Sequence, residues 1–296
     1  MRIAVLGAPE SWHLHDLQRA AAGRHVIVPV AWRDLNARVG VAETFIGVGS
    51  TSLMEFDAVL VRTMPPASLE QVVFRMDVLA RLEQCGVLVI NPPRAMEIAI
   101  DKFLALARLR EVGLLVPETQ VCQSEKEGIA AFEALGRDVV VKPLFGSEGR
   151  GLIRLNDLGL AERVFALLAR QDVVLYVQRF IQHPGYDIRV LVIGAQTLAV
   201  RRGNDKDWRT NLSRGAAASP LEIDDTLRQM ALDAARAVGA PVAGMDLLPD
   251  RDGQHYVIEV NAAPGWKGLS RTLEVDVASL LLRYIERRVE ETKSRW

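Results

Sequence analysis

Asp246, Glu259 and Asn261 are the residues whose types and spacing point most directly to chemistry. Gly-Met-Asp246-Leu-Leu leads into Pro-Asp-Arg-Asp-Gly-Gln, and then into Tyr-Val-Ile-Glu259-Val-Asn261-Ala-Ala-Pro-Gly. Two strand-like stretches around a Pro/Asp/Gly turn predict an antiparallel hairpin. Glu259 and Asn261 stand two apart and project from one face of their strand. Pairing Leu248 with His255 sets Asp246 opposite Val257 and on that same face, leaving Tyr256, Ile258 and Val260 as an apolar side. Two carboxylates and an amide oxygen are hard donors of the kind Mg²⁺ takes, with phosphate and water completing its shell. Taken alone, the segment reads equally well as a polar strand face turned to water.

A second group suits phosphate. Arginine outnumbers lysine thirty to six, so each lysine position is informative. Lys102 opens a helix, and Lys142 ends the apolar strand Asp138-Val-Val-Val-Lys142-Pro. Four residues later comes the loop Gly146-Ser147-Glu148-Gly149-Arg150-Gly151. No Gly-Lys-Ser/Thr closes this loop and no helix follows, which excludes a Walker A loop. A glycine-rich loop between strands can lay backbone N–H groups over phosphates as a lid. In isolation, a plain hairpin turn accounts for it more simply. Two ammonium groups, a donor-rich loop and the Asp/Glu/Asn triad together make a cradle for a triphosphate and Mg²⁺.

The elements that position these groups follow from periodicity. Up to about residue 95 the chain alternates strand and helix signals as a parallel α/β unit does. Strands are predicted over 3–6, 26–30, 56–61 and 87–90, and helices over 14–22 and 69–82. Only Gly7 stands in the first strand-to-helix turn, so the dinucleotide fingerprint is missing and a nicotinamide dehydrogenase is excluded. Ligands of open α/β sheets sit at the carboxyl ends of strands, where Arg62 falls; a surface arginine is the simpler reading of that residue by itself. Asn91-Pro-Pro breaks the chain and marks a boundary near 92–98. Beyond it the spacing predicts a helix over 98–112, a strand over 116–121, and helices capped by Ser124 and Asp157. A hairpin turning at Gly194 carries Asp187 and Arg189 on one face. A basic loop holding Arg209, Asn211 and Arg214 comes next, then helices over 221–238 and 274–291.

Composition frames the class. A chain of 296 residues holds more than one core, and 49% apolar with 25% charged residues is ordinary globular usage. A net charge of −1 and a pI near 6.5 offer no basic surface for nucleic acid. No apolar run approaches membrane-spanning length, and the start reads as a strand rather than a signal peptide, so a soluble cytoplasmic protein is expected. Cys85 and Cys122 read as buried free thiols. His13, His15, His25, His183 and His255 lack metal-type spacing and read as surface or capping residues, with His13 and His15 near the first strand's end the two to watch.

Lys102, Lys142-Pro, the loop from Gly146 to Gly151, Gln178-Arg-Phe-Ile, Asp187-Ile-Arg189-Val, Arg209-Thr-Asn211, Ser213-Arg214-Gly, Asp246 and Glu259-Val-Asn261-Ala-Ala-Pro-Gly share an order and spacing. In both they resemble the ATP-grasp superfamily, and within it the RimK-type carboxylate–amine ligases that add glutamate to an acceptor. A narrower similarity lies in Ser68-Leu-Glu-Gln-Val-Val-Phe-Arg-Met-Asp-Val-Leu79 and Lys142-Pro-Leu-Phe-Gly. It is to ligases that attach glutamate to tetrahydromethanopterin-type one-carbon coenzymes.

The resemblance implies an α/β fold, α+β in its C-terminal half. A Rossmann-like lobe would cover residues 1–97, a central lobe with the glycine-rich loop 98–179, and a C-terminal lobe with the Mg²⁺ site 180–296. Lys102 and Lys142 would contact the α- and β-phosphates of ATP, with Gly146, Ser147, Gly149 and Gly151 closing above them. Gln178, Arg179, Phe180 and Ile181 would run along the adenine edge. Asp187 would take the ribose or the nucleotide's polar edge, and Arg209 and Asn211 would add nucleotide contacts. Asp246, Glu259 and Asn261 would hold two Mg²⁺ ions, with Mn²⁺ as a substitute. Arg189, Arg209 and Arg214 would form the catalytic set facing the γ-phosphate and an acyl phosphate, and Arg62 and Arg214 would bind substrate. Implied partners are a small-molecule carboxylate acceptor and L-glutamate, and relatives of this type are often homo-oligomers. Neither nucleic acid nor a membrane is expected.

The implied reaction has two steps. A carboxylate attacks the γ-phosphate to give an acyl phosphate and ADP, and an amine then displaces phosphate. Metals and arginines supply most of such catalysis, without a protein nucleophile. Other acceptors in the same class are a furan coenzyme, a lysine-biosynthesis intermediate, or a protein C-terminus such as that of a ribosomal protein. An ATP-grasp kinase and a nucleotide-binding regulator are the readings from other classes, the second disfavoured by the complete metal set and both lysines. Glu148 places a negative charge in a loop meant to cover phosphates, and residues 8–52 carry no feature that names a ligand.

Overall fold

The computed structural model describes residues 1–41, 43–146, 150–204, 207–210 and 215–294. The apolar runs near the N-terminus pair in parallel. β1 (Arg2–Leu6) lies between β2 (Val26–Val30) and β6 (Ala58–Val61), and β7 (Leu88–Ile90) extends the order to β2-β1-β6-β7. Helices α1 (Trp12–Ala21) and α2 (Leu69–Gln84) connect these strands. Each is capped by a serine: Ser11 accepts from the Leu14 N–H and Ser68 from the Gln71 N–H. Between β2 and β6, where the sequence showed no feature, β3 (Leu35–Val39), β4 (Thr44–Val48) and β5 (Thr51–Ser52) form a small antiparallel sheet. Its first strand buries only Leu35, so the two-residue alternation that announces a strand is absent.

The helix predicted over 98–112 is two helices. α3 (Pro93–Ile100) begins on a proline. Asp101 interrupts it and caps α4 (Lys102–Glu111), accepting from the N–H groups of Phe103 and Leu104. Lys102 thereby becomes the first residue of α4. Both helices pack on the C-terminal sheet, where Ala95, Ile98, Ala105 and Leu109 share a core with Val190, Met245 and Leu247. The stretch expected to open the central lobe is therefore in packing terms part of the C-terminal one.

β8 (Thr119–Cys122), β9 (Val139–Lys142), β10 (Ile153–Leu155) and β11 (Leu175–Arg179) form an antiparallel sheet of order β10-β9-β11-β8. With α5 (Glu125–Ala134) and α6 (Leu158–Ala169) it encloses a separate core around Phe132, Val141, Phe165 and Val177. Ser124 and Asp157 cap these helices as expected.

The C-terminal sheet runs β14-β13-β12-β15-β16. Its strands are β12 (Tyr186–Ile193), β13 (Gln196–Gly203), β14 (Ala217–Pro220), β15 (Val242–Pro249) and β16 (His255–Asn261). The turn between β12 and β13 falls at Gly194, whose φ of +63° suits glycine. α7 (Asp225–Val238) covers this sheet and starts four residues later than the periodicity suggested, because Asp224 caps it by accepting from the Leu227 N–H. α8 (Lys267–Leu273) and α9 (Val277–Lys293) close the chain. α9 packs against α1, and Ile3, Leu17, Leu281 and Ile285 belong to one core, which ties the first segment to the last. No helix among the described residues is long and apolar enough to cross a membrane.

Candidate active site

The hairpin β15–β16 sets the register of the acidic residues. Asp250 Oδ1 accepts from the N–H groups of Asp252 and Gln254, and Gly253 takes φ +83°. This turn pairs Pro249 with His255 and Leu248 with Tyr256, one residue away from the expected pairing of Leu248 with His255. Continued unbroken, it would turn Asp246 away from Glu259. A β-bulge between Asp246 and Leu247 restores the alignment, so Asp246 pairs with Glu259 and Gly244 with Asn261. The three residues share a face as expected, by a different route. Val257 joins Val260 in the core, and Ile258, expected on the apolar side, lines the cleft beside Glu259.

Asp246 is buried on the cleft floor. Its Oδ1 accepts from Arg189 Nη1 at 2.7 Å and lies 2.9 Å from Arg202 Nη2. Burial opposes its ionisation, yet the two guanidiniums hold the carboxyl down to about 2. Arg202 grips Asp187 through two bonds of 2.8 and 2.6 Å, and Thr210 Oγ1 donates to Asp187 Oδ2 at 2.6 Å. Burial works against the Arg202 charge, but Asp246 and Asp187 more than restore it and raise its pKa. Asp187 lines the cleft as expected, with both oxygens also bracing Arg202. Arg202 was missed, although a hairpin turning at Gly194 pairs Ile193 with Gln196 and therefore Asp187 with Arg202.

Glu259 is half-buried next to this pair. Burial first, and then the Asp246 charge, raise its pKa, while Lys102, Lys142 and Arg189 act in the opposite sense. Lys102 Nζ donates to the carbonyls of Leu144 (3.3 Å) and Gly146 (2.9 Å), which ties α4 to the start of the glycine-rich loop. Burial brings the Lys142 ammonium down to about 8, against the pull of Glu259. An ionised Asp246 beside a Glu259 that burial shifts toward protonation is a donor set suited to a hard dication, and the two ammoniums suit phosphate. Asn261 shares the face, and its Oδ1 accepts from the Ala263 N–H at 2.8 Å. Among the described residues no three His, Cys, Asp or Glu side chains gather as a closed cage. Mg²⁺ sites commonly leave positions to phosphate and water.

The cleft above this floor opens to solvent. Val140, Leu152, Leu248 and Ile258 give it apolar walls suited to a flat ring, and Gln178, Arg179, Phe180 and Ile181 line it where β11 ends. The Gln178 amide donates to Thr119 Oγ1 (2.9 Å) and Tyr176 Oη (3.2 Å), bracing the sheet. Arg154 stacks on Phe180 at 3.5 Å, and Trp208 meets the same ring edge-on at 5.8 Å. Neither Arg154 nor Trp208 stands out in the sequence. Arg209 lines the cleft with its guanidinium bonded to Asp207, the shortest contact 2.6 Å. Gly146 also lines the cleft; Gly151, at φ +74°, leaves no room for a Cβ, which would meet Pro143 at 2.8 Å. Ser147, Glu148, Gly149, Asn211 and Arg214 lie outside the described residues. Arg62 is not part of the cleft lining; it is buried at the end of β6, where Nη2 donates to the Pro264 carbonyl at 2.6 Å.

A family model for the RimK-like ATP-grasp domain matches residues 99–285. The chain belongs to that family. The ligase is 30% identical over 312 residues to the tetrahydromethanopterin:alpha-L-glutamate ligase of Methanosarcina acetivorans, covering 94% of this chain and 96% of that relative. It is 31% identical over 293 residues to the ribosomal protein bS6–L-glutamate ligase of Escherichia fergusonii, covering 97% and 96%. Its fold matches the ATP-grasp ligase PsnB, solved with a minimal precursor, Mg and ADP, at a TM-score of 0.76 and 23% identity over 97% of both chains. The expected fold class and ATP-dependent, ADP-forming ligase class thus stand. ATP-grasp ligases bind ATP or ADP with Mg²⁺.

Proposed function

We propose that this ligase joins L-glutamate to the carboxylate of a small acceptor through an acyl phosphate, with a tetrahydromethanopterin-like one-carbon coenzyme as the acceptor. The observation that carries this reading is the direct pairing of Asp246 with Glu259 across a bulged hairpin, facing Lys102 and Lys142 in one cleft. End-to-end similarity to a tetrahydromethanopterin ligase supports the acceptor class. Lys102 and Lys142 grip the α- and β-phosphates, and release of Lys102 from the Leu144 and Gly146 carbonyls frees its ammonium to do so. Gln178 to Ile181 take the adenine edge and Asp187 the nucleotide's polar edge. Asp246, Glu259 and Asn261 hold two Mg²⁺ ions, or Mn²⁺ in their place; bound there, the metal neutralises phosphate charge. Arg189 and Arg209 face the γ-phosphate and the acyl phosphate. From sequence alone, Arg214 joins them, and Ser147, Gly149 and Asn211 join the nucleotide contacts. The chain divides near residues 97 and 179, and the cleft is lined by the second and third of these segments.

In the first step the acceptor carboxylate oxygen bonds to the γ-phosphorus and ADP leaves. The glutamate amine then bonds to the acyl carbon, loses a proton and expels inorganic phosphate. The experiment supplies ATP, Mg²⁺ and L-glutamate with a panel of carboxylates: a reduced-pterin coenzyme, a furan coenzyme, a lysine-biosynthesis intermediate and a Glu-ended peptide. Phosphate release with product mass increased by glutamyl residues is expected on the pterin. A phosphorylated product without an amide would make the protein a kinase. No turnover on any acceptor would favour a regulator.

A further inference from the structure

Arg62 leaves the C-terminal end of β6, where its N–H bonds to the Leu6 carbonyl, at the carboxyl edge of the parallel sheet. Only 5% of the residue is exposed. Its guanidinium lies 4.3 Å above the Trp266 ring and donates through Nη2 to Pro264 O, while Nε is buried without a hydrogen-bond partner. Burial lowers its pKa to about 9, and among the described residues no carboxylate is paired with it. A buried cation without a counter-ion is costly to fold around, and persists where a ligand supplies the anion.

Its surroundings are arranged for the same purpose. His13, in the first turn of α1, packs edge-on against Trp266 at 4.6 Å and accepts the Trp266 N–H on Nε2, which leaves the proton of a neutral ring on Nδ1. Burial first, and then Arg62, lower its pKa to about 4; Lys267 acts the same way and Asp16 the opposite. Asp16, the one acid acting on His13, already accepts from Trp266 Nε1 and Arg19. Arg19 is shared with Asp276, so the cluster's three cations, Arg19, Arg62 and Lys267, exceed its two carboxylates by one charge. Pro264 connects this cluster to the cleft: a Cβ on Gly244 would meet both Pro264 Cβ and the Arg189 guanidinium.

We infer that Arg62, with His13 and Lys267, binds a carboxylate of one of the two small substrates while the reacting groups lie on the Arg189 side of Pro264. This rests on the ligase reading and specifies how it holds a substrate. The two sources are the α-carboxylate of L-glutamate and an acidic group of the acceptor remote from the reacting one.

Arg62→Met keeps the side-chain length and removes the charge, and Arg62→Lys restores a cation without the planar fork. Losing one charge-assisted contact is expected to raise KM by about tenfold or more for one of the two substrates. KM for ATP should stay within about twofold, and the lysine variant should recover part of the loss. The substrate whose KM moves is the one seated there. Lys267→Met, on an exposed residue, covers the case of a misfolded Arg62 variant and should raise the same KM by a smaller factor. A change below about twofold in both substrate KM values overturns the inference. Thermal melting decides independently of turnover: of L-glutamate and the reduced-pterin coenzyme, the one whose KM moves should raise the melting temperature of wild type and not of Arg62→Met. Equal stabilisation of both would also overturn the subsite, whereas glutamyl product absent from wild type would overturn the ligase reading alone.

Discussion

Two buried arginines, Arg202 on β13 and Arg62 at the end of β6, have opposite company. Arg202 is held by Asp187 and Asp246, which raise its pKa; Arg62 has a tryptophan face and a carbonyl, and burial lowers its pKa. The first belongs to a closed ion network that fixes Asp246 for its work. The second has no carboxylate partner among the described residues, which is why a ligand is proposed to supply one. Burial and charge are alike in both, so the presence or absence of a carboxylate partner is what separates scaffold from binding site.

The contrast is broken most severely by Asp187→Asn. It leaves Arg202 with half its counter-charge and should cost about 3 kcal/mol or more in urea unfolding, whereas Arg62→Met should leave stability unchanged or improved. Equal losses in the two variants would erase the distinction. Glu259→Gln comes next. It should lower kcat by about 10²-fold or more with no loss of stability, because burial and the Asp246 charge already disfavour the carboxylate. Turnover close to wild type would remove Glu259 from the metal site.

Lys142→Met tests the phosphate-facing charge. It should weaken ATP binding by about tenfold or more while raising the melting temperature at neutral pH. The folded pKa of about 8 lies below the ordinary 10.5, so wild type gains stability as pH rises through that window and the variant's advantage should shrink there. An advantage constant across that range would contradict this. The smallest effect concerns His13. Its folded pKa near 4 lies below the ordinary 6.5, so the stability its neutral ring contributes is complete above 6.5 and lost as pH falls toward 4. NMR titration in Arg62→Met should show this pKa rising, since one nearby positive charge is gone; an unmoved pKa would separate the two residues.

Much of this was legible because it is local. The parallel strands, the serine and aspartate caps and the hairpin at Gly194 follow from residue type and period. The acidic face was read correctly through an incorrect register, because Asp250 fixes a turn one residue off and only a bulge compensates. The break at Asp101 was hidden by a capping residue inside a continuous helical pattern. Arg202 was missed although the turn at Gly194 was legible and pairs it with Asp187. The meeting of Arg62 with Trp266, more than two hundred positions away in sequence, leaves no local trace.

In the proposed function the paired carboxylates couple a divalent cation to the nucleotide. Calorimetric titration of ADP into wild type and Glu259→Gln, with and without Mg²⁺, tests it most directly. Mg²⁺ should strengthen ADP binding to wild type by about tenfold or more, and that gain should vanish in the variant. ADP affinity indifferent to Mg²⁺ in wild type, or the same Mg²⁺ gain in both proteins, would contradict it.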